Sequence, residues 1–310
     1  MDIVASNWGR NTRYEQHRAR PLRLYYGDLD DNGTLDLIEA WFNSAMNKVV
    51  PEQHLDLMSR GIPGLRERIK THKAYSEAGV EDLFGASLQK AKVLEANWLE
   101  SAVFLNRGDH FEAKPLPREA QFAPAFGVSV SDFDGDGSED IFLAQNFFAT
   151  LHDASRYDAG RGLLLRGDGA GNFTSVPGLE SGVKIYGEQR GCAVADFDRD
   201  GRADLVVTQN GAATKLFRNA GAKPGVRVRL KGGETNPDGI GAAVRLFFGE
   251  KAGPVREVRA GGGYWSQDSA VQVLAAPRTP TRAWVRWPGG KTTLKDIPPG
   301  ARELEISITD

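Results

Sequence analysis

"SDFDGDGSEDIFLAQNFF", residues 131–148, sets aspartates at 132, 134, 136 and 140 and follows them with an apolar run. Carboxylates this close repel one another, and some must hold protons unless a cation neutralises them. The pattern returns at "GDLDDNGTLDLIEAWF" (27–42) and "ADFDRDGRADLVVTQNGA" (195–212). Each copy reads D-x-D-x-[DN]-G-x-x-D and leads into an apolar, partly β-branched segment, so the chain is built from a repeated unit. Short apolar stretches at 103–113, 163–177 and 215–225 run into glycine-rich turns. Loop, strand, tight turn and strand together predict small antiparallel sheets.

Side-chain oxygens at loop positions one, three, five and nine, with a backbone carbonyl at seven, suit one hard cation, and glycine at six permits the sharp turn. The predicted donors are Asp28, Asp30, Asn32, Asp36 and the Thr34 carbonyl in loop 1. Loop 2 offers Asp132, Asp134, Asp136, Asp140 and the Ser138 carbonyl, and loop 3 offers Asp196, Asp198, Asp200, Asp204 and the Arg202 carbonyl. An all-oxygen, carboxylate-rich set favours Ca2+ over zinc or copper. Solvated aspartate turns are the plain alternative, and three copies in one phase argue against it. Asp28 to Glu39 also fits an EF-hand string, with Gly33 at six and Glu39 at twelve. That motif requires flanking helices, whereas "PLRLYYG" (21–27) reads as a strand. On carboxylate count alone, loop 1, with Asn32, is expected to bind most weakly.

Composition narrows the function. In 310 residues, 39 Lys and Arg face 41 Asp and Glu, a balance that gives no basic surface for nucleic acid. No apolar run is long enough to span a bilayer. Cys192 is the sole cysteine, so no internal disulfide forms, and His17, His54, His72, His110 and His152 show no metal-ligand spacing. No nucleophile-and-base pattern is visible and no catalytic residue is assigned, although polysaccharide-cleaving sites leave little local signature. Arg107-Gly108-Asp109 and Arg166-Gly167-Asp168 spell RGD twice, each where the repeat needs a turn, and turn chemistry accounts for both. Trp265, Trp284, Trp287 and Tyr264 suit either a sandwich core or a sugar-stacking platform.

The acidic loops followed by apolar strands resemble the FG-GAP or VCBS repeats of calcium-binding β-propellers, as in integrin α-subunit heads. "NPDGIGAAVRL" (236–246), "REVRAGGGYWSQDSA" (256–270) and "VRWPGGK" (285–291) resemble the ASPIC/UnbV domain that follows such repeats in secreted bacterial proteins and in cartilage acidic protein. The resemblance implies a mainly β protein: a partial FG-GAP-type β-propeller over 1–221, then a β-sandwich-like ASPIC/UnbV domain over 222–310. It also implies a secreted, periplasmic or cell-surface setting, although residues 1–10 carry no export signal. The expected role is a non-enzymatic calcium-binding scaffold for a protein or glycan ligand; the alternative is a polysaccharide-acting enzyme or enzyme subunit with structural calcium.

Two stretches fall outside the three repeats. "DIVASN", from Asp2, matches the end of a calcium loop, as "DIFLAQN" and "DLVVTQN" do, and predicts a strand in a chain whose parent continues upstream. Residues 48–97 break the pattern with helical composition, and Leu83, Leu88 and Leu94 are the expected inward positions of a helical insertion.

Overall fold

A computed structural model of the chain describes residues 1–17, 20–151 and 154–310. The chain divides into two compact units, residues 10–99 and residues 1–9 with 100–310.

In the 10–99 unit, the strands Leu22–Gly27 and Asp36–Asn43 form a hairpin whose connection is loop 1, in the register Gly27 to Asp36 and Tyr25 to Ile38. Lys48–Pro51 extends the sheet on one side and Lys92–Ala96 on the other. Along Asp36–Asn43 the pleat alternates, turning Ile38 and Ala40 into the core while Leu37 stays exposed. Four short helices, Leu55–Gly61, Gly64–Arg68, His72–Ser76 and Val80–Phe84, bury Leu55, Met58, Leu65, Leu83 and Phe84 against that face. Their termini are tied locally: the Thr71 hydroxyl accepts the Ala74 amide, and Asp82 Oδ2 accepts the Gly79 amide.

The expected insertion is helical only in part. Leu83 is buried and Leu88 packs against the core, whereas Leu94 is 56 % exposed on a strand. Lys92–Ala96 pairs with Leu22–Gly27 and satisfies the backbone of a sheet edge, which overrides the helical composition of the run. Loop 1 is flanked by strands, and Glu39 lies on one of them and accepts a hydrogen bond from the Tyr14 hydroxyl. The EF-hand alternative is thereby removed.

The second unit holds three blade-like sheets. Ile3–Ala5, Ala102–Asn106 and Phe111–Pro115 make the first; Ala125–Ser131, Asp140–Gln145, Leu163–Gly167 and Phe173–Val176 make the next; Glu188–Ala195, Asp204–Asn210 and Ala212–Phe217 make the third. Ile141 to Ala144 are wholly buried because the middle sheet is covered on both faces. Ile141 and Leu143 pack towards Val103 and Leu105 of the first sheet, while Phe142 and Ala144 pack towards Cys192, Leu205 and Val207 of the third. Consecutive sheets stacked face to face are the arrangement of propeller blades.

Beyond them lies a two-sheet sandwich. Val226–Lys231 pairs antiparallel with Gln272–Leu274 and parallel with Glu303–Ser307, and faces a second sheet built on Ala243–Phe248, Arg282–Arg286 and Thr292–Asp296. Val228, Leu230 and Ile306 meet Val244, Leu246, Val285 and Trp287 between the sheets. The Trp287 indole N–H reaches the Thr293 hydroxyl at 2.9 Å, the partner a buried indole requires. The core and platform readings of the tryptophans therefore separate: Trp287 is core, whereas Trp265 is 86 % exposed beside the half-exposed Tyr264.

Candidate metal centres

Each acidic loop joins two antiparallel strands and is closed by its own backbone amides. The first aspartate takes the amides of positions five and six: Asn32 and Gly33 on Asp28, Asp136 and Gly137 on Asp132, Asp200 and Gly201 on Asp196. The fifth residue takes the amide of the seventh, from Thr34 to Asn32, Ser138 to Asp136 and Arg202 to Asp200. The ninth aspartate takes the amide of the second, with Leu29, Phe133 and Phe197 donating to Asp36, Asp140 and Asp204 at 2.9, 2.8 and 3.1 Å. Glycine at six is left-handed throughout, with φ of 82° at Gly33, 98° at Gly137 and 85° at Gly201. Position four is left-handed as well, at Asp31, Gly135 and Arg199, a shared feature that the sequence pattern does not show.

This folding points the carboxylates at one another. Oxygens of Asp28, Asp30 and Asp36 lie within 4.8 Å of each other, as do those of Asp132, Asp134 and Asp136, and those of Asp196, Asp198 and Asp204. Asp140 and Asp200 stand outside these tightest triads while remaining tied into their loops. Asp30 Oδ1 is buried with no hydrogen-bond donor among the described residues. A buried carboxylate oxygen without a donor is costly, and a cation removes that cost. The donor sets are oxygen throughout, so the residues fit a hard metal ion.

The electrostatics of the loops agree. Burial pushes the Asp140 carboxyl up to about 7, helped by the like charges of Asp134 and Asp132 and opposed by the amides of Gly167 and Phe133. Asp36, Asp132 and Asp204 are raised for the same leading reason. Each loop is thus charged at a cost that a cation offsets.

The ninth aspartate has a second task. Its other oxygen accepts an amide from the following hairpin, Gly167 onto Asp140 at 2.9 Å and Asn219 onto Asp204 at 2.7 Å. Asp2 does the same for Asn106 at 2.7 Å, and Ile3–Ala5 pairs with Ala102–Asn106 as Asp140–Gln145 pairs with Leu163–Gly167. Asp2 therefore holds the geometry of a ninth loop residue, and "DIVASN" contributes the strand expected of it.

Other signals resolve locally. The first RGD triplet lies in a turn, where Arg107 pairs with Glu112; the second straddles the end of the strand Leu163–Gly167 and the turn after it, where Arg166 pairs with Asp134 and Asp168 accepts amides from Ala170 and Asn172. Cys192 is buried, and its thiol is pushed up to about 12 by burial. His110 pairs with its neighbour Asp109; His152 and the side chain of His17 lie outside the described residues. Sequence reasoning missed the basic residues at the loops: Arg166 on Asp134, Arg218 on Asp198, and Arg227 on Asp196. Arg218 and Arg227 arrive from well beyond the motif they touch.

A chain with three acidic strand-joining loops, blade-like sheets and a sandwich is of the acidic-loop β-repeat class. Residues 132–207 match the FG-GAP-like repeat family and residues 232–310 match the family described as ASPIC and UnbV, so the chain carries an FG-GAP-like repeat followed by an ASPIC and UnbV domain. No curated protein matches the chain.

Proposed function

We propose that the protein is a calcium-stabilised, non-enzymatic scaffold, secreted, periplasmic or held at a cell surface, that presents its sheets and sandwich to a protein or glycan ligand. The observation that carries the proposal is the common geometry of the three loops, each converging carboxylates from a left-handed four-and-six backbone. Calcium is the cation of choice because irregular, oxygen-only sets of this size suit it better than the rigid octahedron of magnesium. The loops join strands, so the metal's task is to fix the hairpins that carry the sheets. An extracellular or periplasmic setting accords with the family resemblance, and such surroundings can supply calcium to weak sites. Among the described residues, no helix is long and apolar enough to cross a membrane.

The ligand surface is best sought at Tyr264 and Trp265. Trp265 projects from a tight turn with φ of 49°, and the Ser266 hydroxyl beneath it receives the Cys192 amide of the third sheet at 3.0 Å. An exposed indole on an anchored turn presents apolar area at little cost in conformational entropy. The test is metal analysis after equilibration with calcium, followed by a glycan and protein-ligand screen scored for both retention and cleavage. Three bound calcium ions and stoichiometric retention weakened by Trp265→Ala support the scaffold; turnover of a polysaccharide supports the enzyme instead.

A further inference from the structure

The three loops differ in the cations the chain itself brings to them. Among the described residues, no Lys or Arg pairs with Asp28, Asp30 or Asp36, and Lys90 of the same unit pairs with Asp31, which is not a donor position. In loop 2 one guanidinium touches the donors, Arg166 Nε on Asp134 Oδ2 at 2.8 Å, and it is shared with Glu180. Loop 3 is met by three. Arg227 Nη1 lies 2.5 Å from Asp196 Oδ2 with both side chains almost fully buried, Arg202 Nη1 lies 2.7 Å from Asp200 Oδ2, and Arg218 Nε lies 2.5 Å from Asp198 Oδ2. Arg218 also reaches Asp200 at 3.4 Å. The donor carboxylates and touching cations together leave minus three on loop 1, minus three on loop 2 and minus one on loop 3.

We infer that Arg218 is an internal competitor for the loop 3 cation, which makes loop 3, and not the Asn32-bearing loop 1, the weakest of the three calcium sites. The inference rests on the calcium reading above and reverses the order that carboxylate count alone gives. Affinity in such loops follows ligand charge, and a guanidinium on a ligand oxygen both cancels charge and occupies a lone pair. Arg227 is locked between the sandwich and the loop: its amide donates to the Arg302 carbonyl and its head group lies beneath Asp196. Arg202 is held by the Ala222 carbonyl at 2.7 Å. Arg218 is 60 % exposed and has no such tether, so it is the cation that calcium displaces.

The experiment is calcium calorimetry on the full chain, its Arg218→Ala variant, and both again with Asp198→Asn, with melting curves in calcium and in chelator. The weakest binding step should vanish with Asp198→Asn, and Arg218→Ala should tighten it about threefold or more. Arg218→Ala should also lower the melting temperature in chelator and leave it unchanged in calcium, whereas a merely structural arginine lowers it in both. A weakest step that survives Asp198→Asn, or that Arg218→Ala leaves unaltered, overturns the inference while the calcium reading stands. Absence of every binding step overturns both.

Discussion

At the residue scale, the most informative group is Asp140. Its folded carboxyl lies up at about 7 through burial, against about 3.9 for an unfolded aspartate. Between those values the metal-free native state holds a proton that the unfolded chain has lost. Stability from this group is therefore fully present below about pH 4, falls as pH rises, and has been lost above about pH 7. Calcium requires the ionised form, so binding should expel a proton in the same window. Melting of the chelated protein across that range should show the fall; with saturating calcium the trend should flatten or reverse. Asp134 offers a second test. Asp134→Ala removes a loop 2 donor and leaves Arg166 only Glu180, so calorimetry should show the loop 2 affinity fall by roughly tenfold or more. The aspartates were legible in the sequence because the chemistry fixes their spacing. Arg227 was not, because it lies 31 residues from Asp196 and only the packing of the sandwich on the third sheet brings them together.

At the scale of elements, the shared loop backbone makes glycine at position six a conformational requirement. Gly33 has no atom within 4 Å of a would-be Cβ, so Gly33→Ala should cost only the left-handed backbone penalty, about 1 kcal/mol. Gly137 adds a 3.2 Å approach to Pro277 at φ of 98°, so Gly137→Ala should destabilise by more. Denaturant unfolding of the two variants checks the order, and equal losses would show that the contact to Pro277 is easily relaxed. The hairpin grammar was readable from the alternation of acidic loop, apolar strand and glycine turn. Lys92–Ala96 was not, since a lysine- and glutamate-bearing segment reads as helix until an open sheet edge claims its backbone. Position four escaped notice for a similar reason: Asp31 and Arg199 are left-handed without being glycine.

At the scale of the larger unit, loops 2 and 3 are also where the ASPIC/UnbV sandwich is fastened. Arg256 grips Glu139 through two nitrogens at 2.9 and 2.5 Å, Arg227 grips Asp196, and Asp268 receives the Val194 amide at 2.7 Å. Arg227→Ala leaves Asp196 buried without its counter-charge, a loss of about 3 kcal/mol in chelator. On the proposed function, calcium at loop 3 would supply a replacement charge, so the penalty should shrink when the metal is added. A penalty identical with and without calcium would show that the metal does not reach Asp196.

On the proposed function, calcium holds these loops and through them the fold. Metal bound only to the folded chain stabilises by about 2.7 kcal/mol per site at a hundredfold excess over Kd. The direct measurement is the melting temperature of the intact chain in calcium and after exhaustive chelation at neutral pH. Chelation should lower it by a large margin, and added calcium should restore it. A melting curve indifferent to both treatments would show that calcium does not hold the fold.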